Sequence, residues 1–296
     1  MSKTSSIKSI FEDKKKIFSV EFFPPKDEAG GERMLNTASL IQPHKPDFVS
    51  ITYGAGGGTR STTMRYAKIL REEHGFEVMP HLTCVGHTRD ELLEILEDFA
   101  EAGFGNVMAL RGDPPKGESE FRTVPGGLSY GSDLVSLIRE NFPDFGIGVG
   151  GYPEKHPEAP NSQTDLINLK TKVDAGADFI TTQLFFDNQV YFDFVTQCEA
   201  MGITVPILPG LLPVLSLGQV RRFCDMCESR LPSRLEQNLE AQPKEGQAEV
   251  GARWALEQVE GLLAGEAPGF HLYALNQSAS TLAILEGIRG KESLNP

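Results

Sequence analysis

The chain has 296 residues, 40% of them hydrophobic, and a net charge of −13 at neutral pH. That length holds one large α/β barrel or two smaller domains, with enough apolar residues for a sizeable core. The acidic balance argues against a nucleic-acid binder, which needs a basic face, and no run of about 18 apolar residues offers a membrane-spanning helix.

Residues 1–16 are polar, end in Lys14-Lys15-Lys16 and lack the apolar centre of a secretory signal. They are expected to form a solvated, flexible lead-in. Residues 17–23 read as the first strand, followed by a helix over 28–42. A second strand, 47–53, leads to a helix over 61–74. A third, 77–83, precedes the run from Asp90 to Ala102, whose apolar residues recur at helical spacing and which stops at Gly103. The fourth strand, 106–111, opens a loop over 112–129 that is rich in proline, glycine and charge, and loops of that length are usually functional or disordered. A helix over 132–141, a strand over 146–150 and a loop from Tyr152 to Asn161 come next. Helix 162–175 stops at Gly176, and strand 178–184, helix 188–200 and strand 205–209 follow. Residues 216–264 read as a long helical region interrupted at Pro232 and across 240–248. A strand over 270–274 and a helix over 278–288 complete the pattern.

Strands alternating with helices imply parallel pairing. Eight such units fit a single-domain α/β fold, a (β/α)8 TIM barrel over residues 17–290. The rival, a doubly wound open sheet, usually has a glycine-rich phosphate loop after its first strand. Here Pro24-Pro25-Lys26 stands in that place. The glycine run from Gly54 to Gly58 lacks the lysine and hydroxyl of a phosphate loop. It reads as a flexible turn or as a close backbone approach to a ligand. Each strand runs into polar residues or glycines that a buried strand does not need. In a parallel barrel all eight such ends open on the face where active sites lie.

Glu21 interrupts the apolar run from Phe18 to Phe23. Both faces of a barrel strand are buried, and a carboxyl in a dry pocket has a raised pKa that suits a general acid. A buried ion pair with a lysine or arginine is the competing account. Asp113, in Arg111-Gly112-Asp113-Pro114-Pro115, can orient a ring nitrogen or stabilise a cation, or it can cap a helix. His81 reads as a core histidine, and His87 and His156 as hydrogen-bonding loop residues. The loop from Gly151 to Ala159 offers an aromatic face and an imidazole. Asp165, Asn168 and Lys172 share one helical face, which suits a ribityl or pyrophosphate chain or is simply solvated. Cys224 and Cys227 have redox or zinc spacing, but no second pair or nearby histidine completes a set. They read as helix packing, and thiols without a disulfide framework suit a reducing cytoplasm.

Eight motifs occur in order along the chain: VEFFPP from Val20, TYGAG from Thr52, PHLT from Pro80, LRGDP from Leu110, GYPEKHPEA from Gly151, DLINLK from Asp165, QLFFD from Gln183, and Pro209-Gly210. Most of them lie at a strand end or in the loop beyond it. Together they resemble methylenetetrahydrofolate reductases over about residues 15–290. The resemblance implies a barrel with non-covalent FAD and a ping-pong cycle. In that cycle NADH or NADPH reduces the flavin, and methylenetetrahydrofolate then takes the hydride to give methyltetrahydrofolate for methionine synthesis. Glu21 matches the general acid, and Asp113 the aspartate near flavin and pterin. Thr52, His81, Arg111, Gly112, Asp113, Tyr130, Gly131, Tyr152, His156, Ala159, Asp165, Asn168 and Lys172 fall on flavin-contacting positions. Gln183 and Gln219 match substrate-contacting residues. Gln277 stands where the family often has an arginine for the folate tail, and Thr171 where many relatives carry a basic residue. The resemblance further implies a cytoplasmic homo-oligomer, a dimer or tetramer. A flavin-binding subunit of a larger complex and a flavin-dependent proline or amine oxidiser are the alternatives on the same fold.

Overall fold

The computed structural model describes residues 6–54, 60–114, 117 and 121–289. Ala55 to Gly58 of the glycine run and Pro115 lie outside the described residues. The strands are β1 Ile17–Phe22, β2 Phe48–Ile51, β3 Val78–Thr83, β4 Asn106–Leu110, β5 Gly146–Gly151, β6 Phe179–Thr182, β7 Ile207–Leu208, β8 Gly210–Leu211 and β9 Gly269–Tyr273. All pair in parallel, in the order β7-β6-β5-β4-β3-β2-β1-β9-β8. Only Pro209 separates β7 from β8, so the two ends of this order are one strand position, and the sheet is an eight-position barrel. Proline has no N–H to continue a ladder. Its carbonyl still accepts from the His271 N–H at 2.8 Å, while Pro206 O accepts from Ile180 N at 2.9 Å. The seventh strand expected over 205–209 is therefore split and shifted by the geometry of that proline.

The helices are α1 Ile7–Asp13, α2 Glu28–Ile41, α3 Arg60–Glu72, α4 Arg89–Glu101, α5 Gly131–Asn141, α6 Ser162–Asp174, α7 Asn188–Ala200, α8 Leu217–Cys227, α9 Ser233–Glu240, α10 Lys244–Ala264 and α11 Ser278–Arg289. Their starts are chemically marked. Asp27, Asn161, Asp187 and Ser216 each accept a backbone N–H of the first turn, and Thr88 forms a reciprocal capping box with Glu91. The region 216–264 resolves into three helices. Pro232 and Pro243 each stand immediately before a new helix start, where a missing N–H is harmless.

Inward positions change character along the barrel axis. At the N-terminal end, Ile17, Phe48, Met79, Met108, Phe179 and Leu208 form one apolar layer. Two residues further on, β1, β2, β3, β6 and β9 carry the buried polar residues Ser19, Ser50, His81, Thr181 and His271. Strand alternation makes this switch possible: Phe18, Val20 and Phe22 point outward into the main core against the helices, while Ile17, Ser19 and Glu21 take the opposite face.

The lead-in is not simply solvated. Residues 7–13 form α1, which packs Ile7, Ile10 and Phe11 onto the apolar layer at the bottom of the barrel. Ile7 is fully buried, its N–H donates to Asn106 Oδ1 at 2.8 Å, and the Phe11 and Phe179 rings lie 5.4 Å apart. Burial of the isoleucine contributes about 1.5–3 kcal/mol. Three apolar residues within 7–11 were too few to show this in a polar segment.

Candidate active site

Glu21 lies near the C-terminal end of β1, in register with Ser50 on β2 and Tyr273 on β9. The residue is 6% exposed. Ser50 Oγ donates to Glu21 Oε2 at 3.1 Å. His271 Nε2 lies 3.4 Å from the same oxygen, and His81 Nε2 lies 3.2 Å from it, off the line of a good hydrogen bond. The far nitrogen of His271, Nδ1, is held 2.7 Å from Ser19 Oγ. One carboxylate oxygen therefore meets a hydroxyl and two imidazoles, all from inward positions of the barrel.

This cluster corrects the expected acidity of Glu21. Burial does push its pKa up, as expected from the sequence. The His81 charge, the hydrogen bond from His271, the close approach of the His81 ring nitrogen and the His271 charge together outweigh burial, and hold the carboxyl well below the usual carboxylate range. The competing account, a buried ion pair, is closer to what is found, but the partners are two histidines where a lysine or arginine was expected. Tyr273 completes the cluster: its ring meets that of His271 edge-on at 5.1 Å, and its hydroxyl donates to Thr182 O at 2.5 Å. Burial, then the Glu21 charge, raises the Tyr273 phenol.

A second group gathers at the exits of β4 and β5. Arg111 makes a bidentate pair with Glu158, at 2.5 and 2.7 Å, and its guanidinium lies 4.9 Å from the Phe121 ring centroid. Hydrogen bonding to Glu158 raises the arginine's pKa further. Gly112 adopts φ +87°, and a Cβ there would meet Val85 and Thr83 side-chain atoms at 2.7 and 2.9 Å; only glycine fits. Asp113 is exposed. Burial and then the Asp113 charge push up the Tyr152 phenol and the Cys227 thiol, the latter to about 11. Tyr152 meets the His156 ring edge-on at 4.5 Å, the His156 N–H donates to Asp165 Oδ2 at 3.0 Å, and the Ala159 N–H donates to His156 O. Burial, then the Arg111 charge, lowers the His156 pKa. Lys172 Nζ donates to Gly150 O at 2.5 Å.

Other assigned positions are spread around the rim. Thr52 closes β2 by donating its N–H to Phe22 O at 3.0 Å. Gly131 opens α5, and Tyr130 before it is 65% exposed. Asn168 and Gln277 are exposed. Gln183 and Gln219 turn their side-chain oxygens to the backbone N–H groups of Leu184 and Leu215, each at 2.8 Å. Cys224 packs in a buried cluster with Val220 and Leu235. Among the described residues no group of histidine, cysteine and carboxylate side chains is arranged to hold a metal.

Sequence alone missed Ser50 and His271 as partners of Glu21, Ser19 and Tyr273 as the residues that flank His271, and Glu158 as the partner of Arg111. Strand parity was the available signal for the first set: Ser19 shares its face with Glu21, and polar residues at inward positions of other strands must meet it across the barrel. For Glu158, 47 positions from Arg111, no sequence spacing pointed to the pair.

Comparison with known proteins agrees with this architecture. The methylenetetrahydrofolate reductase family model matches residues 6–289. The chain is 41% identical over 268 residues to 5,10-methylenetetrahydrofolate reductase of Salmonella typhimurium, covering 90% of this chain and 88% of that protein. It is 39% identical to methylenetetrahydrofolate reductase (NADH) 1 of Arabidopsis thaliana, covering 96% of this chain and 50% of the plant protein; it spans only half the length of that relative. In fold it is similar to an uncharacterized Clostridium thermocellum protein that binds two copies of 5-methyl-5,6,7,8-tetrahydrofolic acid, with TM-score 0.65, 15% identity, 98% of this chain and all of that one covered.

Proposed function

The chain belongs to the methylenetetrahydrofolate reductase family, and we propose that it reduces 5,10-methylenetetrahydrofolate to 5-methyltetrahydrofolate with non-covalent FAD as cofactor and NADH or NADPH as hydride source. The observation that carries the chemistry is the buried Glu21 carboxyl, gripped by Ser50, His81 and His271 at the open end of the barrel.

The residues present fit the cofactor. Lys172 has no carboxylate within ion-pair distance among the described residues, and burial lowers its pKa to about 8. A partly buried ammonium of that kind suits a pyrophosphate. Tyr130 offers an exposed ring for stacking, and Tyr152 with His156 offers an aromatic and imidazole surface nearby. Thr52, His81, Arg111, Gly112, Asp113, Gly131, Ala159, Asp165 and Asn168 complete the set that would hold it. Bound FAD would supply the hydride chemistry, with nicotinamide and folate using the site in turn.

The chain's own residues manage the proton and the charge. Opening the five-membered ring of the folate consumes a proton at the departing nitrogen. Glu21 delivers that proton as general acid, and the carboxylate it leaves is stabilised by Ser50, His81 and His271 around Oε2. Asp113 stabilises the iminium cation that forms as the ring opens. Gln183 and Gln219 contact the substrates once their amides turn from the backbone, and Gln277 stands at the rim where the folate tail would leave. An anaerobic absorption experiment tests the proposal. Flavin bands bleached by NADH and restored by methylenetetrahydrofolate establish both half-reactions. A protein that stays colourless after FAD is added refutes it.

A further inference from the structure

The loop from Tyr152 to Pro160 connects β5 to α6 across the open face of the barrel. Pro153, Pro157 and Pro160 have no N–H, so the loop is short of backbone donors while every residue still carries a carbonyl. The deficit is met by one side chain. Lys155 Nζ donates to His156 O at 2.9 Å, Pro157 O at 3.2 Å and Ala159 O at 3.0 Å. An ammonium has three donors and no acceptor, and here three carbonyls take all three. Lys155 itself sits at φ +85°, a left-handed conformation that is costly for a residue with a side chain. Its N–H donates to Tyr152 O at 3.1 Å, closing the turn that brings the ammonium back over the loop.

This arrangement sets where the neighbouring side chains stand. The carbonyl that Lys155 grips on His156 also accepts the Ala159 N–H, and the His156 N–H is fixed to Asp165. The Tyr152 ring is held edge-on against His156, and Glu158 is placed to engage Arg111. Outside the loop, Lys155 lies 3.6 Å from Glu228 Oε2, and Glu154 takes the Arg230 N–H with both oxygens at 3.1 Å. Both contacts tie the loop to the turn that follows α8.

We propose that Lys155 is a positioning residue whose ammonium, as shared donor to the carbonyls of His156, Pro157 and Ala159, holds this loop in the shape that receives the dinucleotide cofactor. The role rests on the FAD reading above. It requires both the charge and the three-donor geometry of a lysine. Methionine has similar length without donors, and arginine keeps the charge but spreads its donors over a plane.

The test is FAD titration of flavin-stripped Lys155→Met and Lys155→Arg, followed by fluorescence quenching, alongside thermal melting of the same flavin-free proteins. Lys155→Met is expected to weaken FAD binding by about ten- to a hundredfold while the flavin-free melting temperature falls by less than would account for that loss. Lys155→Arg is expected to recover only part of the affinity, with a shifted visible spectrum of the bound flavin. Wild-type affinity in Lys155→Met overturns the proposal. So does a fall in flavin-free melting temperature that accounts for the loss, because Lys155 would then support the fold and not the site. If Lys155→Met fails to fold, full affinity in Lys155→Arg overturns the three-donor geometry. Failure of the wild type to bind FAD at all refutes the cofactor reading instead, a result distinct from wild-type binding with unaltered variants.

Discussion

Replacing Lys172 by methionine should stabilise the flavin-free protein and weaken its hold on the cofactor. The side chain is partly buried, donates to Gly150 O and has no carboxylate at ion-pair distance among the described residues. Burial lowers its pKa from 10.5 to about 8, partly opposed by the Asp165 charge. Between those two values the unfolded chain binds a proton that the folded chain does not, so stability rises as pH climbs from about 8 towards 10.5. Below pH 8 the full burden is present, roughly 3 kcal/mol at about 1.4 kcal/mol per pKa unit. Methionine removes that burden but leaves Gly150 O without its donor, a loss of about 1–2 kcal/mol. The net expectation at pH 7 is a gain of about 1–2 kcal/mol, disappearing near pH 10. A charge-assisted contact to a pyrophosphate is worth about 1.5–3 kcal/mol, so FAD binding should weaken about ten- to a hundredfold. Urea unfolding of the flavin-free protein at pH 7 and 10, with FAD titration at pH 7, reads both effects. A variant that is less stable at pH 7 and binds FAD like the wild type would refute the reasoning.

Glu21→Gln should retain flavin reduction by NADH and slow folate reduction by about 10²–10⁴-fold, measured as separate half-reactions in stopped flow; equal survival of both would remove the acid role. His271→Gln should shift the pH profile of the folate half-reaction while leaving that of flavin reduction in place, since the imidazole touches Glu21 Oε2 and Ser19; parallel shifts in both would mean a general packing defect. Gly112→Ala forces a Cβ to 2.7 Å from Val85 at φ +87° and should cost about 1–3 kcal/mol in urea unfolding, against no change if the β4 exit is loosely held. Ile7→Ala should cost about 2–4 kcal/mol because that side chain is fully buried under the barrel; an unchanged unfolding midpoint would return residues 7–13 to solvent.

Much of the barrel was legible because its cues are local. Apolar periodicity, capping residues and the glycines that stop helices act over one or two turns, so α4, α6 and α7 fell close to their expected bounds. Motif order then pointed to a family whose site residues could be placed one by one. The misses share a cause. The split at Pro209 depends on which neighbour each half of the strand bonds, and α1 is held by an apolar layer drawn from six strands.

The same division governs the site. The sequence by itself determined that Glu21 is a carboxylate on a buried strand, that Gly112 follows β4, and that Lys172 shares a helical face with Asp165. Burial alone argued for a raised Glu21 pKa. Only the tertiary structure decided the outcome, because His81 and His271, 60 and 250 positions away in sequence, converge on one carboxylate oxygen. Electrostatic energy falls with distance in space, and the closed barrel sets that distance between residues whose separation along the chain carries no information about it.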